Sequence, residues 1–112
     1  EQKAHKAAVM EQALVTAASV PLEMMEACCR TAELLNELKD VGASIAISDV
    51  GCGAACCRAA LQSGALNVYA NTKFMRDRAV AASLEHLAGA MLARYVPLCD
   101  GVYDSVAGRM RE

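Results

Sequence analysis

The sequence predicts an all-α fold, an antiparallel helical bundle with one long central buried helix. Along most of the chain, apolar residues recur at spacings of three and four, as they do on one face of a helix. The apolar fraction is 55%, yet aromatic residues make up only 4% and there is no tryptophan. Small and unbranched apolar residues suit close helix packing better than a sheet. With 112 residues the chain is expected to form a single helical domain, residues 1–112.

The first part of the chain predicts two helices that meet at a proline. One helix is expected over residues 2–18. Because Pro21 has no amide hydrogen, it is expected to start a second helix or to kink the chain. The second helix is the clearest amphipath, and Gly42 is its expected C-cap. Its apolar stripe consists of Leu22, Met25, Cys29, Ala32, Leu35 and Leu38.

A short apolar connection over residues 43–47 is expected to lead into an unusual third helix. Ser48 or Asp49 is expected to cap its N-terminus. Over residues 50–72 the only charged side chain is that of Arg58. A helix without a polar face must be enclosed by protein, and the other helices of this chain are too few to enclose it. We therefore expect further cover from upstream sequence, from a second subunit of a homo-oligomer, or from both.

A last helix is predicted from about Asp77, with a break or kink at Pro97. Its apolar stripe consists of Val80, Leu84, Leu87, Met91 and Tyr95. A final helical stretch is expected after Pro97 and is weakened by Gly101.

Charge and polarity disfavour two classes of partner. The net charge of −2 provides no basic face, so no nucleic acid is expected. The third helix is long enough to span a membrane, but Arg58, Gln62, Asn67 and Asn71 are costly in hydrocarbon. No membrane association is therefore expected.

The six cysteines lie in helical patterns and include two adjacent pairs, unlike a secreted disulfide scaffold. No signal peptide is visible, so reduced, buried thiols in a cytoplasmic protein are expected. Cys52 and Cys56 share a helix face, but metal sites need more ligands than this, and no metal is expected.

The polar residues of the third helix have two open interpretations. Ser63, Asn67 and Asn71 are spaced four apart on one face, and buried amides need hydrogen-bond partners. They form either a polar helix–helix contact or the lining of a pocket for an amide- or pterin-like ligand edge. Ser48 and Asp49 are either a helix cap or part of a site. Asp49 and Asn67 share a face but stand about 27 Å apart along the helix.

Three stretches, in this order, resemble the cyclodeaminase/cyclohydrolase family, which includes the C-terminal domain of formiminotransferase-cyclodeaminase. Residues 17–23, A-A-S-V-P-L-E, are similar to the family's A-x-x-V-P-L. Residues 48–55, S-D-V-G-C-G-A-A, are similar to S-D-x-G-V-A-A. Residues 66–77, L-N-V-Y-A-N-T-K-F-M-R-D, are similar to N-V-x-x-N-L-K-x-I-x-D.

The resemblance implies an all-helical homodimer in folate one-carbon metabolism, with a tetrahydrofolate derivative as substrate. Family members are formiminotetrahydrofolate cyclodeaminases, which release ammonia and form the methenyl derivative, or methenyltetrahydrofolate cyclohydrolases, which form 10-formyltetrahydrofolate. Both reactions need a proton relay at a cationic, amidine-like carbon. Ser48, Asp49, Asn67 and Asn71 match family motifs and are the candidates for substrate binding.

The chain departs from the family pattern in two respects. The family domain opens with G-G-G-S-x-A-A and then an aspartate before Ala-Phe, and both are expected upstream of Glu1. That aspartate, thought to be the proton acceptor, would then lie outside this chain, which we expect to be the C-terminal part of a longer enzyme. Position 43, often asparagine in the family, is Ala43. The alternatives are a non-catalytic helical oligomerisation module and a thiol- or metal-responsive helical protein.

Overall fold

A computed structural model describes residues 1–41 and 46–112, which form three long α-helices. Helix α1 spans Gln2–Val41, α2 spans Ile47–Thr72 and α3 spans Arg78–Met110. The helices lie side by side in a rod of 68 × 19 × 17 Å. No strand occurs in the described ranges, so the all-α prediction is confirmed. None of these three helices combines the length and apolar character needed to cross a membrane.

Neighbouring helices run antiparallel, as predicted. Gly53, near the start of α2, lies against Leu35 in the second half of α1. Asn71, at the end of α2, reaches Ala17 in the first half of α1. Helix α3 returns along α2 in the same way. Helices α1 and α3 also contact each other directly, since Tyr95 donates a hydrogen bond to Glu33, so the three helices pack around one core.

Prolines do not divide the helices. Pro21 lies inside α1 and Pro97 inside α3, so the predicted helix start at Pro21 and the predicted break at Pro97 are wrong. A proline inside a helix costs about 3 kcal/mol, mainly through one lost hydrogen bond and a local clash. Pro21 and its neighbour Leu22 are buried in the bundle, and Cys99 continues the core beyond Pro97. Tertiary packing of the apolar stripe outweighs the local penalty.

The start of α2 also differs from the prediction. The helix begins at Ile47 after Ala46, whose side chain makes no capping hydrogen bond. Ser48 and Asp49 lie within the first turn, so the prediction that one of them caps the helix is wrong. Asp49 still suits the positive end of the helix dipole there. By contrast, Asp77 caps α3 by accepting two backbone N–H bonds, and the predicted start is confirmed.

The connection between α1 and α2 lies mostly outside the described residues. Gly42, the expected C-cap, and Ala43, the departure from the family pattern, both lie outside the described residues. Since Ile47 already belongs to α2, the connection predicted over residues 43–47 extends one residue too far at its C-terminal end.

Helix α2 is covered by this chain on one face only. The face toward α1 and α3 is buried and includes Val50, Ala54, Leu61, Ala65 and Val68. From Cys52 to Ala70 the opposite face is exposed and carries no charged side chain. It consists of Cys52, Ala55, Cys56, Ala59, Ser63, Leu66, Asn67 and Ala70, and is called the small-residue face below. The expected enclosure of this helix is thus provided on one side by α1 and α3.

The close approach of α1 and α2 depends on Gly64. A Cβ atom at this position would stand 2.6 Å from Cγ of Met25 and 3.5 Å from the carbonyl oxygen of Pro21. Met25 is fully buried, so its side chain has no open space to move into. Any larger residue at position 64 must push the two helices apart.

We predict that Gly64→Ala lowers the free energy of unfolding by about 1–3 kcal/mol, because the added methyl group overpacks this contact. Gly89→Ala is the matched control, since a Cβ at Gly89 meets nothing within 4 Å. The control should gain about 0.5–1 kcal/mol from helix propensity. Urea unfolding measures both, and equal stability of the two variants would contradict the assigned contact.

Candidate functional site

A groove of about 390 Å³ runs between α1 and α2. Its lining residues are Ala17, Val20, Pro21, Met24, Ala60, Ser63, Gly64, Asn67 and Asn71. The lining is mostly apolar, and none of these side chains is an acid or a base. Its polar side chains are Ser63, Asn67 and Asn71, which the structure brings together as their spacing predicts. We call this feature the amide groove.

Both asparagines use their amide nitrogens on backbone carbonyls. Asn67 Nδ2 donates to the carbonyl of Ser63 at 2.9 Å, and Asn71 Nδ2 donates to the carbonyl of Asn67 at 2.9 Å. A longer contact of 3.5 Å joins Asn71 Nδ2 to the carbonyl of Ala17 on α1. Asn71 is half-buried but Asn67 is exposed in this chain, so the expectation of buried amides is wrong for Asn67.

Pro21 explains why Asn71 meets α1 at Ala17. In an α-helix the amide of residue 21 would donate to the carbonyl of residue 17. Pro21 has no amide hydrogen, so the Ala17 carbonyl loses its helical partner. Asn71 Nδ2 approaches this oxygen from α2. Pro21 thus frees a carbonyl oxygen on α1, and Asn71 of α2 makes a polar contact with it. A polar contact between helices is the first of the two interpretations given above to these amides.

The other two candidates lie at the far end of α2. Ser48 is half-buried and lines a separate pocket of about 260 Å³, together with Tyr103 of α3. Asp49 is exposed in the first turn. Because α2 is one continuous helix, this chain does not bring Ser48 and Asp49 together with Asn67 and Asn71 in one site.

Glu11 connects α1 to the turn that follows α2. Its two carboxylate oxygens accept hydrogen bonds from the backbone amides of Arg76 and Asp77 at 2.8 and 3.0 Å. These amides belong to the turn between α2 and α3. Sequence reasoning missed Glu11, since its partners are 65 and 66 residues away and no local pattern indicates the pairing.

Arg58, the one charged side chain within residues 50–72, forms an ion pair with an acidic side chain of α3. Arg58 Nη1 lies 3.2 Å from Asp100 Oδ1, beside a second groove of about 310 Å³ between α2 and α3. The two side chains are 47% and 44% exposed, so the pair contributes little to stability. Because Arg58 and Asp100 both line this second groove, their charges balance each other there.

The cysteines divide into a core group and an exposed group. The core group has three buried thiols and one half-buried thiol and consists of Cys28, Cys29, Cys57 and Cys99. Cys52 and Cys56 are exposed, so the prediction of buried thiols is wrong for these two. Burial, with a smaller effect of neighbouring thiols, raises the pKa of Cys29 and of Cys99 to about 11. In the described part of the chain, no three His, Cys, Asp or Glu side chains are grouped as metal ligands.

These features define a class of protein: an all-helical domain with a groove, lined in part by amides, between two long helices. Five of the nine residues that line the groove belong to two of the three stretches that resemble one family. The Formiminotransferase-cyclodeaminase family profile matches residues 1–89, and the chain belongs to this family. It is also 37% identical over 111 residues to a methenyltetrahydrofolate cyclohydrolase of Methylorubrum extorquens. That match covers 98% of this chain and 53% of the relative, so the chain spans about half of the relative's length.

We predict that Cys29 and Cys99 react with iodoacetamide at pH 8 about 100-fold more slowly in the native protein than in urea, because a pKa of about 11 instead of 9.0 removes most of the thiolate. The difference should shrink as the pH rises toward 11. Peptide mass spectrometry reports each site separately, with exposed Cys52 as the internal reference. Labelling of Cys29 or Cys99 at the urea rate would contradict their burial.

Proposed function

We propose that this chain is part of a folate one-carbon enzyme and that the amide groove binds a tetrahydrofolate derivative. The enzyme would be a methenyltetrahydrofolate cyclohydrolase or a formiminotetrahydrofolate cyclodeaminase. One observation carries the proposal. Residues 17–23 and 66–77, two stretches that resemble the family's motifs, each contribute lining residues to this groove, where the contact between Ala17 and Asn71 spans 54 residues of sequence.

The groove has the composition of a site for a flat, partly polar ring. Its volume of about 390 Å³ lies in the range of small-molecule sites. Val20 and Met24 provide apolar surface on α1, while Asn67 and Asn71 provide hydrogen-bonding groups on α2. A reduced pteridine has the matching character, an apolar face and a polar edge.

The lining of the groove supports binding but not proton transfer. Both family reactions need a group that takes or gives a proton at the one-carbon unit. Ser63, Asn67 and Asn71 do not ionise near neutral pH. The proton-transferring group must therefore come from outside the groove lining.

Of the two reactions, we favour hydrolysis, since the relative that matches 98% of this chain is named a methenyltetrahydrofolate cyclohydrolase. Water would add to the cationic methenyl carbon and lose a proton. The bond from that carbon to N5 would then break as N5 takes up a proton and the new hydroxyl group loses its own to become the formyl oxygen, which leaves 10-formyltetrahydrofolate and one released proton overall. The enzyme has two tasks here, to orient the water and to move the proton.

A comparison of two proteins tests the proposal. A longer natural protein that contains this chain should accelerate the loss of methenyl absorbance, whereas the 112-residue chain alone should not exceed the buffer background. Activity of the short chain would refute the claim that outside groups are required. A longer protein that neither reacts with nor binds folates would instead favour the non-catalytic oligomerisation module.

We further propose that the protein is a homodimer or higher homo-oligomer joined through the small-residue face of α2. From Cys52 to Ala70 this face carries no charge, and Leu66 is 68% exposed in the single chain. Its small side chains would allow a second helix to approach closely. Because the face adjoins the amide groove at Ser63 and Asn67, a second copy would lie next to the proposed folate site.

We predict that Ala59→Arg, a new charge in the middle of the small-residue face, lowers the molar mass measured by light scattering from that of the oligomer to that of the monomer. A buried, unpaired charge costs several kcal/mol, enough to dissociate a helix interface. Ala82→Arg is the matched control, because it adds the same side chain on α3 near Glu85 and His86. A wild-type protein that is already monomeric, or an Ala59→Arg variant that stays oligomeric, would contradict this interface.

A cytoplasmic location completes the proposal. All six cysteines are free, including the exposed Cys52 and Cys56. Exposed thiols persist in a reducing compartment, whereas oxidising compartments favour their conversion to disulfides.

A further inference from the structure

The amides of the groove have fixed orientations. Asn67 Nδ2 and Asn71 Nδ2 each donate to a backbone carbonyl at 2.9 Å. Rotating either amide by 180° would place Oδ1 against a carbonyl oxygen, two acceptors with no proton between them. The hydrogen-bond network thus assigns the nitrogen to the backbone and the oxygen to the remaining side. Among the residues that the structure describes, no donor reaches either Oδ1.

The polar side of the groove is therefore rich in acceptors. Asn67 Oδ1 and Asn71 Oδ1 are two of them. A third is the Ala17 carbonyl, which Pro21 frees from the helix and which receives only the long 3.5 Å contact from Asn71. No cationic side chain lines the groove. The Ser63 hydroxyl, which can donate or accept, also lines the groove, so the lining matches a ligand edge made mainly of N–H groups and provides no cation for an anionic edge.

We propose that the amide groove binds the amino-bearing edge of the pteridine ring, with Asn71 Oδ1 accepting a hydrogen bond from the 2-amino group. This inference rests on the proposed folate-binding function. A reduced pteridine carries an exocyclic amino group and an adjacent ring N–H, both donors. The glutamate tail carries carboxylates, which would meet acceptor oxygens here without a cation to balance them.

Asn71 has this role, rather than Asn67, because its position is more firmly fixed. Asn71 is half-buried and contacts both helices, whereas Asn67 is exposed and bonds only within α2. A side chain already held by two carbonyls loses little freedom when a ligand binds, and its oxygen can discriminate between ligands with and without a donor. Asn71 is thus a specificity-determining residue.

A binding cycle on a longer natural protein that contains this chain tests the inference. Calorimetry compares tetrahydrofolate with its 2-desamino-2-methyl analogue in the wild-type protein and in Asn71→Leu. We expect wild-type protein to bind the analogue about 10-fold more weakly, and Asn71→Leu to weaken tetrahydrofolate about 10-fold while changing the analogue less than twofold. Gln62→Leu is the matched control, because it removes an exposed amide of α2 that faces the other groove, and it should change neither affinity.

The outcomes separate this inference from the proposed function. If the wild-type protein binds both ligands equally, or Asn71→Leu weakens both equally, Asn71 does not read the amino group and the inference is overturned while folate binding stands. If neither ligand binds, both proposals are refuted. Should leucine disturb the helix contact, as circular dichroism would show, Asn71→Ser shortens the side chain without adding volume and carries the same expectation.

Discussion

The separation between α1 and α2 at Gly64 sets the geometry of the groove between these two helices. The missing side chain lets the Met25 side chain and the Pro21 carbonyl approach the backbone of α2. At that separation Asn71 reaches the Ala17 carbonyl, and a groove rather than a filled interface remains between the helices. If the two helices stood further apart, Asn71 would no longer reach the Ala17 carbonyl, and the apolar residues of α1 and α2 would lose dispersion contacts with each other.

Prolines and polar residues act together in this arrangement. Pro21 removes one hydrogen bond from α1, and the freed carbonyl faces α2 in the groove. The asparagine that approaches it lies in a different motif, 54 residues away in sequence. Two stretches that resemble one family thus have a common physical basis, since each supplies half of one contact.

Much of this fold could be predicted from the sequence, because helix type and apolar stripes are local properties. The buried stripe of α1 from Leu22 to Ala32 and the cap at Asp77 follow from spacing and residue type alone. The stripe predicted for α3 was wrong in part, because Val80 and Leu87 are exposed. The continuity of the helices at Pro21 and Pro97 could not be predicted, because it depends on packing between helices. The exposure of Cys52 and Cys56 could not be predicted either, because the sequence of an uncharged helix does not show which of its faces the same chain covers. The site was predicted only in part. The spacing of Asn67 and Asn71 placed them together, but no local sequence pattern indicates that Glu11 accepts hydrogen bonds from the turn after α2.

The lining of the amide groove has a consequence for how related enzymes can diverge. On the proposal that this groove binds a pteridine ring, its amides and apolar groups would recognise the ring without taking part in what happens at the one-carbon unit. Ammonia release and ring opening by water could therefore share this half of the site unchanged. Natural selection could exchange one reaction for the other by altering residues elsewhere, while the helices that hold the ring stay as they are.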